Sequence, residues 1–115
     1  MNIELLLKVK EQILKDPERY NQDIYGHGSC SSAHCIAGWA IVLGKKKWPD
    51  QIAHVWNLAH KVLSLRGRQD SKLFSVGGDW PKKFASAYLK AKTPKGRARV
   101  AARRIDHFIK TGGRE

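Results

Sequence analysis

Nine consecutive residues, Cys35 to Leu43, carry no charged side chain. Extended back to Ala33, the segment is apolar at every angle around a helix. A helix without a polar side has to be covered from all directions. A chain that contains it therefore folds with this helix at its centre and the other elements around it. Nine residues fall far short of the ~20 that a membrane-spanning helix needs, so the covering has to come from the protein. The 115 residues present suffice for one domain around one core. Two Cys are too few for a disulfide framework and match a reducing compartment. The start, Met1-Asn2-Ile3-Glu4, has no basic n-region and no cleavage site. The expectation is a cytoplasmic protein, residues 1–115 as one domain, with no membrane contact.

The surrounding segments read as helices too, giving an all-α bundle of about five. Asn2 caps a first helix to about Lys15, on which Ile3, Leu6, Val9 or Lys10, Ile13 and Leu14 share a face. Asp16-Pro17 ends it, since the residue before proline leaves the helical region. Residues 18–31 have no sustained period. Ser31 or Ser32 caps the central helix, and Gly44 with Lys45-Lys46-Lys47 stops it. Ala37, Gly38 and Ala40 form a small-residue face for close approach of a neighbour. Trp48-Pro49 opens a third helix with the stripe Ile52, Val55, Trp56, Ala59, Val62 and Leu63. Residues 66–78 read as a connection, with a short strand or turn at 73–76. Asp79 caps a fourth helix from Trp80-Pro81 to about Lys90. Thr93 caps the last, with Pro94 first and Gly112 beyond its end. Trp48-Pro49-x-x-Ile52-Ala53 echoes Trp80-Pro81-x-x-Phe84-Ala85 at an offset of 32 residues. Two copies cannot build a solenoid, which takes ~3 units, so the echo reads as one helix-starting device used twice.

Charge is uneven. The chain holds 22 Lys and Arg against 10 Asp and Glu. Residues 1–60 have seven basic and six acidic side chains, and residues 61–115 have fifteen and four. Self-repulsion of this kind does nothing for a fold, so it points to an anionic partner. A solubilising surface is the bland alternative. The densest basic stretch is the last helix. Lys95, Arg99 and Arg103 recur at four-residue intervals along one flank, and Arg97 and Arg104 lie along the other. Ala98, Ala101, Ala102, Ile105, Phe108 and Ile109 make its apolar stripe. Arginines at a helix N-terminus oppose the helix dipole, a placement that an anion at that end would relieve. Lys82 and Lys83 extend the patch from the preceding helix. Guanidinium suits phosphate and carboxylate alike. Nucleic acid and an acidic protein surface are therefore both compatible partners.

Sites with catalytic or metal-binding chemistry are weaker. His27, Cys30, His34 and Cys35 are zinc-type ligands within nine residues. Their spacing is not that of common zinc pairs, however, and adjacent His34 and Cys35 point about 100° apart on a helix. Cys35 near a helix N-terminus would gain thiolate character, but no signature of a Cys-His enzyme surrounds it, and a small buried hydrophobe is the competing reading. His54 and His60 are six apart, off the i, i+4 spacing of metalloprotease helices. Close pairs of carboxylates are missing from the basic half, and Gly77-Gly78-Asp79 lacks the phosphate-loop ending. Ala40-x-x-x-Gly44 fits the turn of a helix-turn-helix, but Asp50 falls where an apolar residue is needed, so sequence-specific DNA reading is not expected. No cofactor is expected.

Cys35-Ile36-Ala37-Gly38-Trp39-Ala40, with Trp80-Pro81 and Arg104-Ile105-Asp106-His107-Phe108-Ile109, resembles a group of small uncharacterised bacterial and phage proteins, over about Tyr25 to Gly113. The resemblance implies a bacterial or phage setting and no particular activity. Three function classes stand: a non-enzymatic binder of nucleic acid backbone, an accessory protein regulating an acidic protein, and a metal or thiol protein centred on Cys30 and Cys35.

Overall fold

The computed structural model describes residues 1–22, 34–50 and 54–114. Among these residues the chain forms α1 (Ile3–Lys15), a 3-10 turn (Pro17–Arg19), α2 (Ile36–Leu43), α3 (Val55–Val62), α4 (Gln69–Phe74), α5 (Lys82–Lys90) and α6 (Pro94–Thr111). The described residues contain no strand, only an isolated bridge between Tyr20 and His34. The all-α expectation holds, with one helix more than the five expected.

The apolar helix is central, as its composition requires. Ile36 to Ile41 are all buried, and α1, α3 and α4 pack around α2. It starts later than the serines suggest. The bridge holds His34 in extended backbone, with Asn21 N–H donating to its carbonyl at 3.1 Å and its own N–H donating to Arg19 O at 2.9 Å. Cys35 is extended too and becomes the N-cap, its Sγ accepting from Gly38 N–H at 3.4 Å. Ser31, Ser32 and Ala33 lie outside the described residues. At the other end Gly44 has an ordinary φ of −77°, and Lys45 takes the left-handed turn at φ 57°. Gly44 is needed for space: a Cβ there would sit 2.7 Å from Val62 Cγ1 and 2.8 Å from the Ala40 carbonyl oxygen. This is a point where α3 closes on α2.

The ends of α1 and α6 follow the sequence. Asn2 Oδ1 accepts from Leu5 N–H at 3.1 Å, and Asn2 N–H donates to Leu63 O at 2.6 Å, tying the start of α1 to the end of α3. Thr93 Oγ1 accepts from Gly96 N–H at 3.0 Å, Pro94 follows, and Gly112 turns left-handed at φ 64°. The buried face of α1 is Leu5, Leu6, Val9 and Ile13. Ile3 and Leu14 are exposed, because α1 is covered by α2 and α6 together and its inner face rotates to include Leu5.

Three expectations fail on tertiary grounds. Residues 46–49 are not helical; the Trp48 ring packs instead on His34, 5.4 Å between centroids. Ile52 of the expected stripe lies outside the described residues. Asp79 does not cap α5. Its carboxylate accepts from the Ser71 hydroxyl, while Trp80 is buried and donates its indole N–H to Leu73 O at 2.7 Å. In the second copy the Trp-Pro pair adjoins a helix start, with Pro81 the N-cap of α5; in the first, Pro49 and Asp50 are not helical and residues 51–53 lie outside the described residues. Residues 66–78 contain α4, so 73–74 end a helix with Ser75 its C-cap, and of the strand or turn expected at 73–76 only a turn from Val76 is present. Leu73 and Phe74 are pulled into the core, and six residues are too few for periodicity to register.

Trp39 is buried at the middle of α2, its indole N–H donating to Arg19 O at 3.1 Å and its ring edge-on to His34 at 4.8 Å. Trp39→Ala should lower unfolding free energy by about 3–5 kcal/mol, a large fraction of the margin of a small domain. An unchanged melting temperature would contradict the central position of α2.

Candidate functional site

The helix α6 packs against α1, α5, the 3-10 turn and α4, and a strip of its surface stays open. Lys95, Arg99 and Arg103 lie exposed along that strip. Four-residue steps place them about 6 Å apart, a row of roughly 12 Å. On α5, Lys82 and Lys83 are exposed. The position of α5 is set by Tyr88, buried edge-on against Trp80 at 5.7 Å and Tyr20 at 6.3 Å. With Tyr88 turned inward, Phe84 and Ala87 face α6. A groove of about 410 Å³ results, lined by Lys83, Phe84, Ala87, Val100, Arg103 and His107. Its floor is apolar and its rim is cationic.

Of the expected basic residues, the structure brings Lys83 and Arg103 together across this groove and leaves Lys82, Lys95 and Arg99 exposed beside it. Two belong elsewhere. Arg97 is half-buried, and its Nη1 donates to the Ala91 carbonyl at 3.2 Å, bracing the turn between α5 and α6. Arg104 is fully buried. Its Nη2 donates to Lys72 O at 2.6 Å, a carbonyl in the last turn of α4 that has no partner within that helix. The guanidinium carbon stands 5.6 Å from the centroids of both Phe84 and Phe108, a distance at which cation and ring attract. The expected second basic flank is therefore the packed side of α6, and Arg104 is a cation of the core.

The acids of the basic half are turned away from the groove. Asp106 pairs with Lys10 of α1 at 2.8 Å, Asp70 with His60 at 3.2 Å, and Asp79 with Ser71. Glu115 lies outside the described residues. Among the described residues, none of Lys82, Lys83, Lys95, Arg97, Arg99 and Arg103 is within 4.0 Å of a carboxylate. A larger hollow, about 560 Å³, lies between the start of α1 and the ends of α2 and α3, where Lys8, Lys46 and Lys61 stand over Leu43 and Leu58 with Glu4. Lys8 already meets Glu4 at 3.7 Å. Lys46 and Lys61 stand at helix C-termini, where the helix dipole accounts for them. Among the described residues, the cations at the α5–α6 groove have neither a carboxylate partner nor a helix C-terminus beside them.

His107 and Phe84 complete the groove, their rings 5.2 Å apart, and sequence reasoning assigned neither of them to a site. The signal was available in the i, i+3, i+7 spacing of Val100, Arg103 and His107, which places the three on one strip of α6.

Metal and thiol chemistry gain no support. Among the described residues, no group of three His, Cys, Asp or Glu side chains could hold a metal ion. His27 and Cys30 lie outside those residues. His34 is buried between Trp39 and Trp48. Cys35 is buried, and desolvation pushes its thiol up from 9.0 to about 11 despite hydrogen bonds from the backbone N–H groups of Gly38 and Ala37. A neutral thiol is a poor nucleophile and a poor zinc ligand. His54 is exposed. Comparison with protein-family models, curated proteins and solved structures finds no match.

The contrast between Arg104 and Arg103 is measurable. Arg104→Ala should cost about 3 kcal/mol or more in urea unfolding, whereas its neighbour Arg103→Ala should stay within about 0.5 kcal/mol; equal costs would put Arg104 on the surface. For Cys35, burial raises the folded-state pKa above the unfolded one, so the stability it confers is whole below pH 9.0 and is lost as pH rises toward about 11. The stability difference between wild type and Cys35→Ala should shrink by about 2–3 kcal/mol over that window, as read by denaturant melts at each pH.

Proposed function

We propose that the protein is a non-enzymatic binder of nucleic acid backbone, engaged through α5 and α6, in a bacterial or phage cytoplasm. The observation that carries this reading is the groove whose rim joins Lys83 of α5 to Arg103 of α6, continued by Arg99 and Lys95 along α6, with no carboxylate paired to any of them among the described residues. Cations that a fold uses for itself are paired or stand at helix C-termini, as Lys10, Arg97 and Arg104 do here by pairing. The groove cations have neither role. A row of about 12 Å with a second basic wall beside it suits a chain of repeating phosphates better than a single point anion, and such contacts position a nucleic acid without reading its sequence.

Binding through phosphates releases counterions, so affinity falls linearly with log salt. With Lys82, Lys83, Lys95, Arg99 and Arg103 engaged, the slope should be about −4 to −5 on duplex and about −3 to −4 on a single strand. Removing two charges in Arg99→Ala/Arg103→Ala should reduce it by about 2 and weaken all sequences alike. Lys8→Ala/Lys15→Ala, on the balanced half, should change it little. Salt titrations of the three proteins check this. Absence of binding at low salt, or equal binding by all three, would overturn the reading; in the first case an acidic protein surface becomes the partner to test.

A further inference from the structure

Resting on the phosphate-binding reading, we propose that the α5–α6 groove receives an unpaired nucleobase, so that the protein prefers single-stranded nucleic acid to duplex. The rim alone would suit any phosphate backbone. The floor is more demanding: Phe84, Ala87 and Val100 present an apolar surface between Lys83, Arg103 and His107. A duplex hides the flat faces of its bases inside the stack and offers a protein its phosphates, sugars and base edges. It would satisfy the rim and leave the floor bare. A single strand offers flat apolar bases with a phosphate on either side, which is the pairing of ring platform and cationic track that sequence-independent strand binders use. An acidic peptide would meet the cations but bring no flat ring to the floor.

The platform is held from behind. Phe84 is half-buried and packs against the core, with the buried Arg104 guanidinium 5.6 Å from its ring and the His107 ring 5.2 Å away. Arg104 is itself fixed to the Lys72 carbonyl. The ring is therefore ordered before any ligand arrives, which lowers the entropy cost of binding. Lys83 Nζ lies 5.0 Å from the Phe84 ring centroid, on an exposed, flexible stem. A base settling over the ring takes that place and the ammonium moves to the adjoining phosphate. The groove's volume of about 410 Å³ is near the low end of the ~300–1,000 Å³ of small-ligand pockets. That is room for a base and too little for a partner helix.

Fluorescence anisotropy with the full chain tests this on three probes of equal length: a labelled oligothymidylate, the same strand in duplex, and a strand in which the central bases are replaced by abasic sites. The single strand should bind at least about fivefold tighter than the duplex, and the abasic strand should lose at least about fivefold with an unchanged salt slope. The abasic probe leaves the protein intact, so no folding defect can produce the loss. Phe84→Leu, which keeps an apolar side chain but no flat face, should weaken the single strand and spare the duplex. Abasic and intact strands of equal affinity, with salt dependence retained, overturn the base pocket and leave the phosphate reading standing. If no probe binds at low salt, both are overturned.

Discussion

The side chain of Gln22 and its own N–H make four hydrogen bonds that reach separate regions of the fold. Its Oε1 accepts from Tyr20 O–H at 3.0 Å and from Ile36 N–H at 3.2 Å; its Nε2 donates to Phe74 O at 2.7 Å; its backbone N–H donates to Tyr88 Oη at 3.2 Å. Ile36 N–H is one of the donors that a helix start leaves over, and Phe74 O one of the acceptors that a helix end leaves over. One buried amide thus satisfies the beginning of α2 and the end of α4 together, and holds Tyr88 of α5 against them. Buried polar groups of this kind cost free energy unless fully bonded. The network therefore fixes α2, α4 and α5 in one relative arrangement. The wall of the basic groove that α5 supplies depends on it.

Arg104 has a similar role closer to the groove. It links α6 to the end of α4 and supports Phe84 from within. The chain, for all its like charge, forms a single body of 33 × 29 × 24 Å. Some of its cations are spent inside on carbonyls and rings, and the acids of the basic half are drawn to Lys10, His60 and Ser71. Of the cations left over, Lys82, Lys83, Lys95, Arg99 and Arg103 are exposed on α5 and α6.

Local chemistry was legible in the sequence. Asn2, Thr93, Pro94 and Gly112 act where their side chains and backbone preferences say they should, because a cap depends on neighbours three residues away. The inward position of the all-apolar helix was legible for the same reason: it has no polar side, and of its residues only Val42, near the end, is exposed. Features decided by distant residues were not. Cys35 caps α2 because Arg19 and Asn21 hold His34 in extended backbone. Trp48 and Pro49 are not helical, and the Trp48 ring packs on His34, fourteen residues earlier in the chain. Arg104 looked like its neighbour Arg103, since helical spacing puts them on two flanks and cannot say which flank is covered. Gln22 sat in a stretch without periodicity and gave no sign of its role. In the basic groove, the cations were visible one by one, but the aromatic floor emerged only when α5 came to rest beside α6.

The Lys10–Asp106 pair joins the neutral half of the chain to its most basic helix at a point about three turns into α6. An isolated peptide of residues 94–111 would carry most of the charge of the face but little of its form. Peptides of that length hold helix poorly in water, and this one has arginines at the end where the dipole disfavours them. Ala98, Ala101, Ile105 and Phe108 would have nothing to lie against. The recognition surface is thus not portable. Its charge resides in one helix, and its shape belongs to the whole molecule.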